Sequence, residues 1–398
     1  MSNFQGMRRR TWAEIDLNSA KKNYLAVRNA VGEKVKVCCV IKANAYGHGA
    51  VRMAAFYEQM GADYLAVSNI EEALQLRKNN IRLPLLVLGY TPEECAELLA
   101  LNNVTQAVYS YEYGMKLARV ARELSVKVKI HIKIDTGMGR IGFLCRGGED
   151  SELSKAARIC REEGLIPEGI FTHFAVADES ADGDDFTAEQ FRNFNYAVDI
   201  LRENGIRFDI RHAANSAAIF DHPECHLDMV RAGIVLYGLR PSEKMRGLPR
   251  LYPVMSLKSV VSHIKEITAG QTVSYGRCFS SNGKTTVATV PIGYADGFWR
   301  TNGTDNGSIL VNGGYAPIIG RICMDQLMIN VSELPCAVGD VVTVFGADSI
   351  CSADAIARRN GTINYEIVCA IGARVPRAFV EDGRITEWQD SIYKEDFV

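Results

Sequence analysis

The chain has 398 residues, 45 of them Lys or Arg and 47 Asp or Glu, for a formal net charge of −2 with the two signs interspersed. That balance argues against a nucleic-acid surface or a polybasic membrane tail, and the length suits a large barrel plus a second domain. The 11 cysteines are odd in number, with none in a Cys-x-x-Cys pair. Met1-Ser2-Asn3-Phe4 shows no signal-peptide pattern and no apolar stretch reaches about 18 residues, so the expected setting is a reducing cytoplasm.

In chain order, Arg10-Thr11-Trp12-Ala13-Glu14-Ile15-Asp16-Leu17 alternates like a strand, and Asn18 is the expected cap of a following helix. From about residue 35 to about residue 240, short apolar runs then alternate with amphipathic, charged segments. The runs are Val35 to Ala43, Tyr64 to Asn69, Pro84 to Tyr90, Thr105 to Ser110, Val126 to Asp135, Glu168 to Phe174, Phe208 to Asn215 and Met229 to Gly238. Helical patterns such as Ile70 to Arg77 and Thr187 to Asn204 lie between them. Eight strand–helix units predict an α/β fold with an N-terminal (β/α)8 TIM-like barrel. A doubly wound sheet is the alternative, but it would usually show fewer strands and a Gly-rich first turn.

After Pro249 the rhythm changes. Met255 to Ile267, Thr285 to Pro291, Ser308 to Val311, Ala316 to Val331 and Val341 to Phe345 are strand-like, and helical patterning is scarce. Asn282-Gly283, Asn302-Gly303, Asn312-Gly313 and Asp382-Gly383 are turn dipeptides of the hairpin kind. The expected division is a barrel over residues 1–244 and a C-terminal, mostly-β domain over 245–398, with residues 1–15 pairing with the β domain.

The first barrel run, Val37-Cys38-Cys39-Val40-Ile41, is closed by Asn44 and Gly47 and delivers Lys42 to its carboxyl end, where α/β folds place their chemistry. A lysine desolvated there has a depressed pKa and more free amine to attack an aldehyde, pyridoxal phosphate (PLP) being the obvious one. A lone strand-end lysine more often snorkels into solvent, so the case rests on its neighbours. The barrel reading puts Lys133 and Asp135 at the end of the fifth strand, His173 at the sixth, Asn215 and Ser216 at the seventh and Arg231 in the eighth. Together at one rim they read as a site. Arg140 offers a fork of donors suited to a carboxylate, and Arg231-Ala232-Gly233-Ile234 lies where barrels commonly bind phosphate. His222 and His226 are four apart, but Pro223 breaks the helix that would align them, so no metal site is expected.

These segments resemble alanine racemase, a family of PLP enzymes with a barrel followed by a β domain. Val40-Ile41-Lys42-Ala43-Asn44-Ala45-Tyr46-Gly47-His48-Gly49 is similar to its cofactor-lysine signature, and Lys133-Ile134-Asp135-Thr136-Gly137-Met138-Gly139-Arg140 to its fifth-strand motif. Thr172-His173-Phe174, His212-Ala213-Ala214-Asn215-Ser216 and Val230-Arg231-Ala232-Gly233-Ile234 continue the likeness in the barrel. Val273-Ser274-Tyr275-Gly276, Ile292-Gly293-Tyr294-Ala295-Asp296-Gly297, Gly320-Arg321-Ile322-Cys323-Met324-Asp325 and Asn364-Tyr365-Glu366 extend it through the second domain.

The resemblance implies exchange of L- and D-alanine by a two-base mechanism, supplying D-alanine for peptidoglycan. Lys42 would anchor the cofactor covalently and exchange the proton on the D-alanine face, with Tyr275 serving the opposite face. His173 and Arg231 would adjust Tyr275, and Arg231 would face the ring nitrogen. Tyr46, Ser216, Gly233, Ile234 and Tyr365 would hold the phosphate, with Asn215 beside them. Arg140 and the Met324 backbone would meet the substrate carboxylate. Lys133 matches a position that is often carbamylated, and Tyr294 and Asp325 line the entrance. Tyr275, Met324 and Asp325 would come from the partner subunit of a homodimer. Arg277-Cys278-Phe279 departs from the small or hydroxyl residues usual after the tyrosine, an added cation that would lower the tyrosine's pKa or alter substrate range. The competing readings are a broad-specificity or serine racemase, a non-catalytic PLP carrier, which would lack the β domain, and a basic-amino-acid decarboxylase, which would need a carboxylate in place of Arg231.

Overall fold

The computed structural model describes residues 10–392 apart from 147–149, 180 and 305, so part of the 1–15 expectation, residues 1–9, lies outside the described residues. The chain divides into two compact units. One comprises Lys21–Ala45 with Ala50–Leu251, and the other the stretch up to Ala20, Tyr46–Gly49 and everything from Tyr252 on.

β1 (Thr11–Asp16) opens the chain and is followed by β2 (Lys36–Val40), β3 (Tyr64–Val67), β4 (Leu85–Val87), β5 (Val104–Val108) and β6 (Val128–Asp135). Next come the two-residue β7 (Phe143–Leu144), then β8 (Leu165–Phe171), β9 (Ile210–His212) and β10 (Met229–Ala232). The barrel sheet runs β10-β2-β3-β4-β5-β6-β8-β9, with β7 attached to the side of β6 and every ladder parallel. Its strands are apolar because helices cover one face and the barrel interior the other: Val37 to Val40 and all of β3 and β5 are buried. Between β9 and β10 the closure rests on separate backbone bonds, Asp228 N–H to the Arg211 carbonyl at 3.1 Å and Arg231 N–H to the Ala214 carbonyl at 3.0 Å. Asn69 caps the helix Ile70–Lys78 and Ser110 the helix Tyr111–Glu123, each side chain accepting a backbone N–H. The helix expected from Thr187 begins earlier, as Ala181–Glu203, because Asp182 and Asp184 place negative charge in its first turn, where the helix dipole favours it.

The second unit contains β11 (Met255–Val260), β12 (His263–Ile267), β13 (Thr272–Val273), β14 (Phe279–Ser280), β15 (Thr285–Val290) and β16 (Ser308–Val311). β17 (Gly314–Pro317), β18 (Leu327–Asn330), β19 (Val341–Phe345), β20 (Arg377–Glu381) and β21 (Arg384–Gln389) complete it. The main sheet has the order β17-β16-β19-β11-β1-β20-β21, with smaller sheets β12-β15-β18 and β13-β14. β1 lies in its interior, antiparallel to β11 and parallel to β20, so Ala13 and Ile15 are fully buried.

Several local expectations are corrected. Asp16, not Asn18, caps the first helix, its carboxylate accepting the N–H groups of Asn18 and Ser19 at 2.9 and 3.3 Å. Within the mostly-β second unit, two helices for which no pattern was noted, Ala353–Asn360 and Asn364–Cys369, follow β19, the first started by Ser352 accepting the Ala355 N–H. Asn312-Gly313 and Asp382-Gly383 both have positive φ and form the β16–β17 and β20–β21 hairpins. Asn302-Gly303 instead ends a 3-10 turn, and Asn282-Gly283 links two strands that do not pair with each other. The run from Ala316 to Val331 is interrupted at Gly320, whose φ of +74° takes the chain out of the strand.

Candidate active site

β2 ends at Val40, and Lys42 follows after Ile41 as the first residue of the turn Lys42–Tyr46. Ala43, Asn44, Ala45 and Tyr46 have φ between 51° and 55°, so the backbone winds left-handed through four residues that carry Cβ atoms. Such a conformation costs roughly 1–2 kcal/mol per residue and persists only where surrounding contacts impose it. Those contacts are present: Ala43 N–H donates to Glu72 at 2.6 Å, and Asn44 Oδ1 accepts the Ala50 N–H at 2.8 Å. Lys42 itself is half-buried, and the deeply desolvated lysine is Lys133.

Lys133, near the end of β6, is 2 % exposed, and its Nζ donates to the Ile134 carbonyl at 2.9 Å and sits 5.2 Å from the Phe171 ring centroid. Burial, reinforced by the Arg231 charge, pushes this amine well below the ordinary lysine range. Asp135 turns away from proton chemistry: its Oδ1 accepts the N–H groups of Gly137 and Gly139 at 2.9 and 3.0 Å and shapes the loop leading to exposed Arg140.

Arg231 is 4 % exposed. Nη2 donates to the Thr172 and Ala213 carbonyls at 2.7 and 2.9 Å and approaches His173 Nδ1 at 3.3 Å. Nη1 donates to His212 Nδ1 at 2.8 Å and to the His212 carbonyl at 3.2 Å. Burial brings its guanidinium down to about 10, which leaves it cationic at neutral pH. Burial, with the charges of Arg231, Lys133, Arg140 and Lys42, pushes the His173 imidazole well below its ordinary value. Gly233 N–H donates to Ser216 Oγ at 2.8 Å, and Asn215 Oδ1 accepts the Ala217 and Ala218 N–H groups, both at 3.1 Å, so β9 and β10 end in one shared turn system. Ile234 starts the 3-10 turn Ile234–Tyr237 immediately after Gly233.

The remaining expected residues lie in the second unit. The Tyr46 and Tyr365 ring centroids are 6.0 Å apart. Tyr275 is 66 % exposed on the turn after Ser274, and Ser274 Oγ donates to the Arg321 carbonyl at 2.6 Å. Tyr294 N–H and Ala295 N–H donate to the carbonyls of Cys323 and Met324 at 3.2 and 3.0 Å, tying the Tyr294 turn to exposed Met324 and Asp325. Asp296 is buried between Arg10 at 2.6 Å and Arg374 at 3.2 Å, and Arg374 also pairs with Asp325 at 2.9 Å. Arg277 does not stand free, since its Nε donates to Thr272 Oγ1 at 3.2 Å.

Two buried histidines, His131 and His212, and the partly buried Glu168 escaped the sequence reading as site candidates. The signal for His131 was present in β6, where Lys129, His131, Lys133 and Asp135 recur at every second position of a strand whose other residues are apolar, the mark of a polar line on one face. His212 lay inside a quoted motif without a role.

Chemically, the barrel set combines a primary amine with a buried guanidinium whose partners are carbonyls and imidazoles and include no carboxylate. That uncompensated charge, beside a glycine turn and a serine hydroxyl, fits an anionic, aldehyde-bearing cofactor with a ring nitrogen. Among the described residues no group of His, Cys, Asp and Glu is placed to hold a metal ion, and no helix is long and apolar enough to cross a membrane.

Fold and site define a barrel enzyme with a rim lysine, joined to a β domain. Residues 15–241 match the family model for the alanine racemase N-terminal domain, and 254–379 the model for its C-terminal domain. Alanine racemase from Methanococcus maripaludis is 46 % identical over 93 % of this chain and 98 % of that protein, and the Desulfovibrio desulfuricans enzyme 45 % over 94 % and 99 %. Among solved structures, alanine racemase of Clostridium difficile 630 superposes with a TM-score of 0.92 at 42 % identity, covering 97 % of this chain and all of that one. The Bacillus anthracis enzyme with bound L-Ala-P superposes at 0.91 and 36 % identity, covering 97 % and 99 %. The chain belongs to the alanine racemase family, whose members are PLP-dependent isomerases.

Proposed function

We propose that this protein interconverts L- and D-alanine using PLP, working as a homodimer with shared sites and supplying D-alanine for peptidoglycan. The observation that supports this most is the coupling of buried Arg231 to His173 at 3.3 Å on the rim that also bears Lys42. A racemase needs a proton donor or acceptor on each face of one carbon, so Lys42 requires a second group. When bound, PLP supplies the electron sink that makes the Cα proton removable.

Lys42 anchors the cofactor covalently and moves the proton on the D-alanine face, while the Tyr275 hydroxyl does so on the other. Arg231 would face the ring nitrogen; charged at neutral pH and giving up no proton, it would weaken the sink and limit transamination. Tyr46, Tyr365, Ser216 and the Gly233 and Ile234 backbone would hold the phosphate, with Asn215 shaping the turn. Arg140 and the Met324 backbone orient the substrate carboxylate. Lys133, with a depressed pKa, is suited to carbamylation, which needs a free amine. Tyr294 and Tyr365 narrow the approach so that a methyl side chain is accepted most readily, and Asp325 lines the entrance. Exposure of Tyr275 and Met324, at 66 % and 53 %, leaves them available to a second subunit.

Borohydride reduction of the PLP-loaded protein followed by peptide mapping tests the reading. The label is expected on Lys42, together with solvent-deuterium incorporation into both alanine enantiomers; a label on another lysine overturns it.

A further inference from the structure

A polar chain, buried except at its Glu168 end, runs through the barrel behind Arg231, and the proposed chemistry makes no use of that far end. On β8 the register against β6 shifts, Ile130 facing Pro167 and His131 facing Gly169, so that Glu168 is the extra residue of a bulge. A Cβ on residue 169 would stand 2.6 Å from His131 Nε2, so glycine there lets the imidazole lie against the backbone. His131 Nε2 meets Glu168 Oε2 at 3.3 Å, His131 Nδ1 meets His212 Nε2 at 2.9 Å, and His212 Nδ1 meets Arg231 Nη1 at 2.8 Å. Both imidazoles are fully buried.

These contacts admit a single proton order. A guanidinium only donates, so His212 Nδ1 is bare and its proton is on Nε2. That N–H donates to His131 Nδ1, so the His131 proton is also on Nε2, directed at Glu168. The carboxylate is held as a pure acceptor at the end of the line: Tyr64 and Thr105 donate to the same oxygen at 2.8 and 3.1 Å, and Lys129 pairs with the other at 3.4 Å. Burial raises the Glu168 pKa, but the hydrogen bonds from His131 and Tyr64 outweigh it and hold it at about 2. The charges facing the two imidazoles are Arg231, Lys133, Lys129 and Glu168.

We propose that Glu168 is a positioning residue for Arg231, acting through His131 and His212 by enforcing this proton order. The carboxylate fixes one tautomer of His131, that tautomer accepts from His212 Nε2 and so supports the order the guanidinium requires, and the bare His212 Nδ1 then holds Nη1 and aims the rest of the guanidinium. The inference rests on the reading of Arg231 as the group that faces the cofactor ring.

The test is the nitrogen-15 spectrum of the histidines in the full-length protein, with and without PLP, for wild type and Glu168→Gln. Wild type is expected to show bare Nδ1 and protonated Nε2 at both residues. A glutamine amide can donate as well as accept, so the variant loses the fixed order at His131, while at His212 the guanidinium still demands a bare Nδ1 and must hold it without support from behind. In the loaded enzyme the pH midpoint of the cofactor absorbance shifts, and kcat falls about tenfold with KM changing less than about twofold. Lys129→Met, which leaves the carboxylate in place, keeps the wild-type order and midpoint. A wild-type spectrum with His212 protonated on Nδ1 overturns the proposal outright, and it needs no variant to fold. So does a Glu168→Gln protein that keeps the wild-type order and midpoint and merely melts lower. A protein that takes up no PLP fails the functional reading instead, and the histidine spectra still decide the proton order.

Discussion

At the scale of single residues, the barrel interior keeps bases neutral and acids charged by choosing their neighbours. Burial, followed by the Arg231 charge, lowers the His212 pKa well below normal, and burial lowers that of His131 against the pull of Glu168. The unfolded chain binds protons on these histidines below pH ~6.5, and the folded one does not, so stability falls as pH drops through that value. Each contributes a slope approaching about 1.4 kcal/mol per pH unit. Urea unfolding at pH 7.5, 6.5 and 5.5 should show this loss, reduced in His212→Asn; a curve flat across the range would mean that the two imidazoles take up protons inside the barrel.

At the scale of elements, the turn Lys42–Tyr46 stores strain next to the proposed anchor. Ala43 is exposed with φ 51° and ψ 50°, a conformation that glycine adopts without penalty. Ala43→Gly is therefore expected to stabilise the protein by up to ~1 kcal/mol, read as a raised urea midpoint, whereas Ala43→Val, with its branched Cβ, lowers it. The turn shows where sequence reading reaches its limit. Asn44 and Gly47 signal that the strand stops, but a left-handed path through two alanines goes against their local preference and exists because Glu72 and the start of the next helix hold it. The bulge at Glu168 is of the same kind: Pro167 and Gly169 hint at irregularity, while the one-residue shift against β6 depends on the partner strand.

At the scale of the molecule, the two proposed bases reside in different units, and the proposed sharing of sites between subunits has a consequence that mixing can detect. Lys42→Ala and Tyr275→Phe are each expected to be inactive. Unfolded together and refolded as mixed dimers, they regain up to about a quarter of wild-type activity, because a heterodimer has one site with neither defect. No recovery, with mixed dimers demonstrated by mass, would place both bases on one chain.

The sequence by itself determined the barrel count, the β character of the second unit and the rim cluster, since these follow from apolar periodicity and from polar residues at run ends. Its motifs also carried the family. Tertiary structure alone decided the place and register of β1 between β11 and β20, that Lys133 is the buried lysine among the described residues, and that Arg231 is backed by His212, His131 and Glu168. Periodicity reports which face of an element is apolar. Which polar groups meet across a closed barrel depends on strand register and on bulges, and these are set by partners that lie far away in the chain.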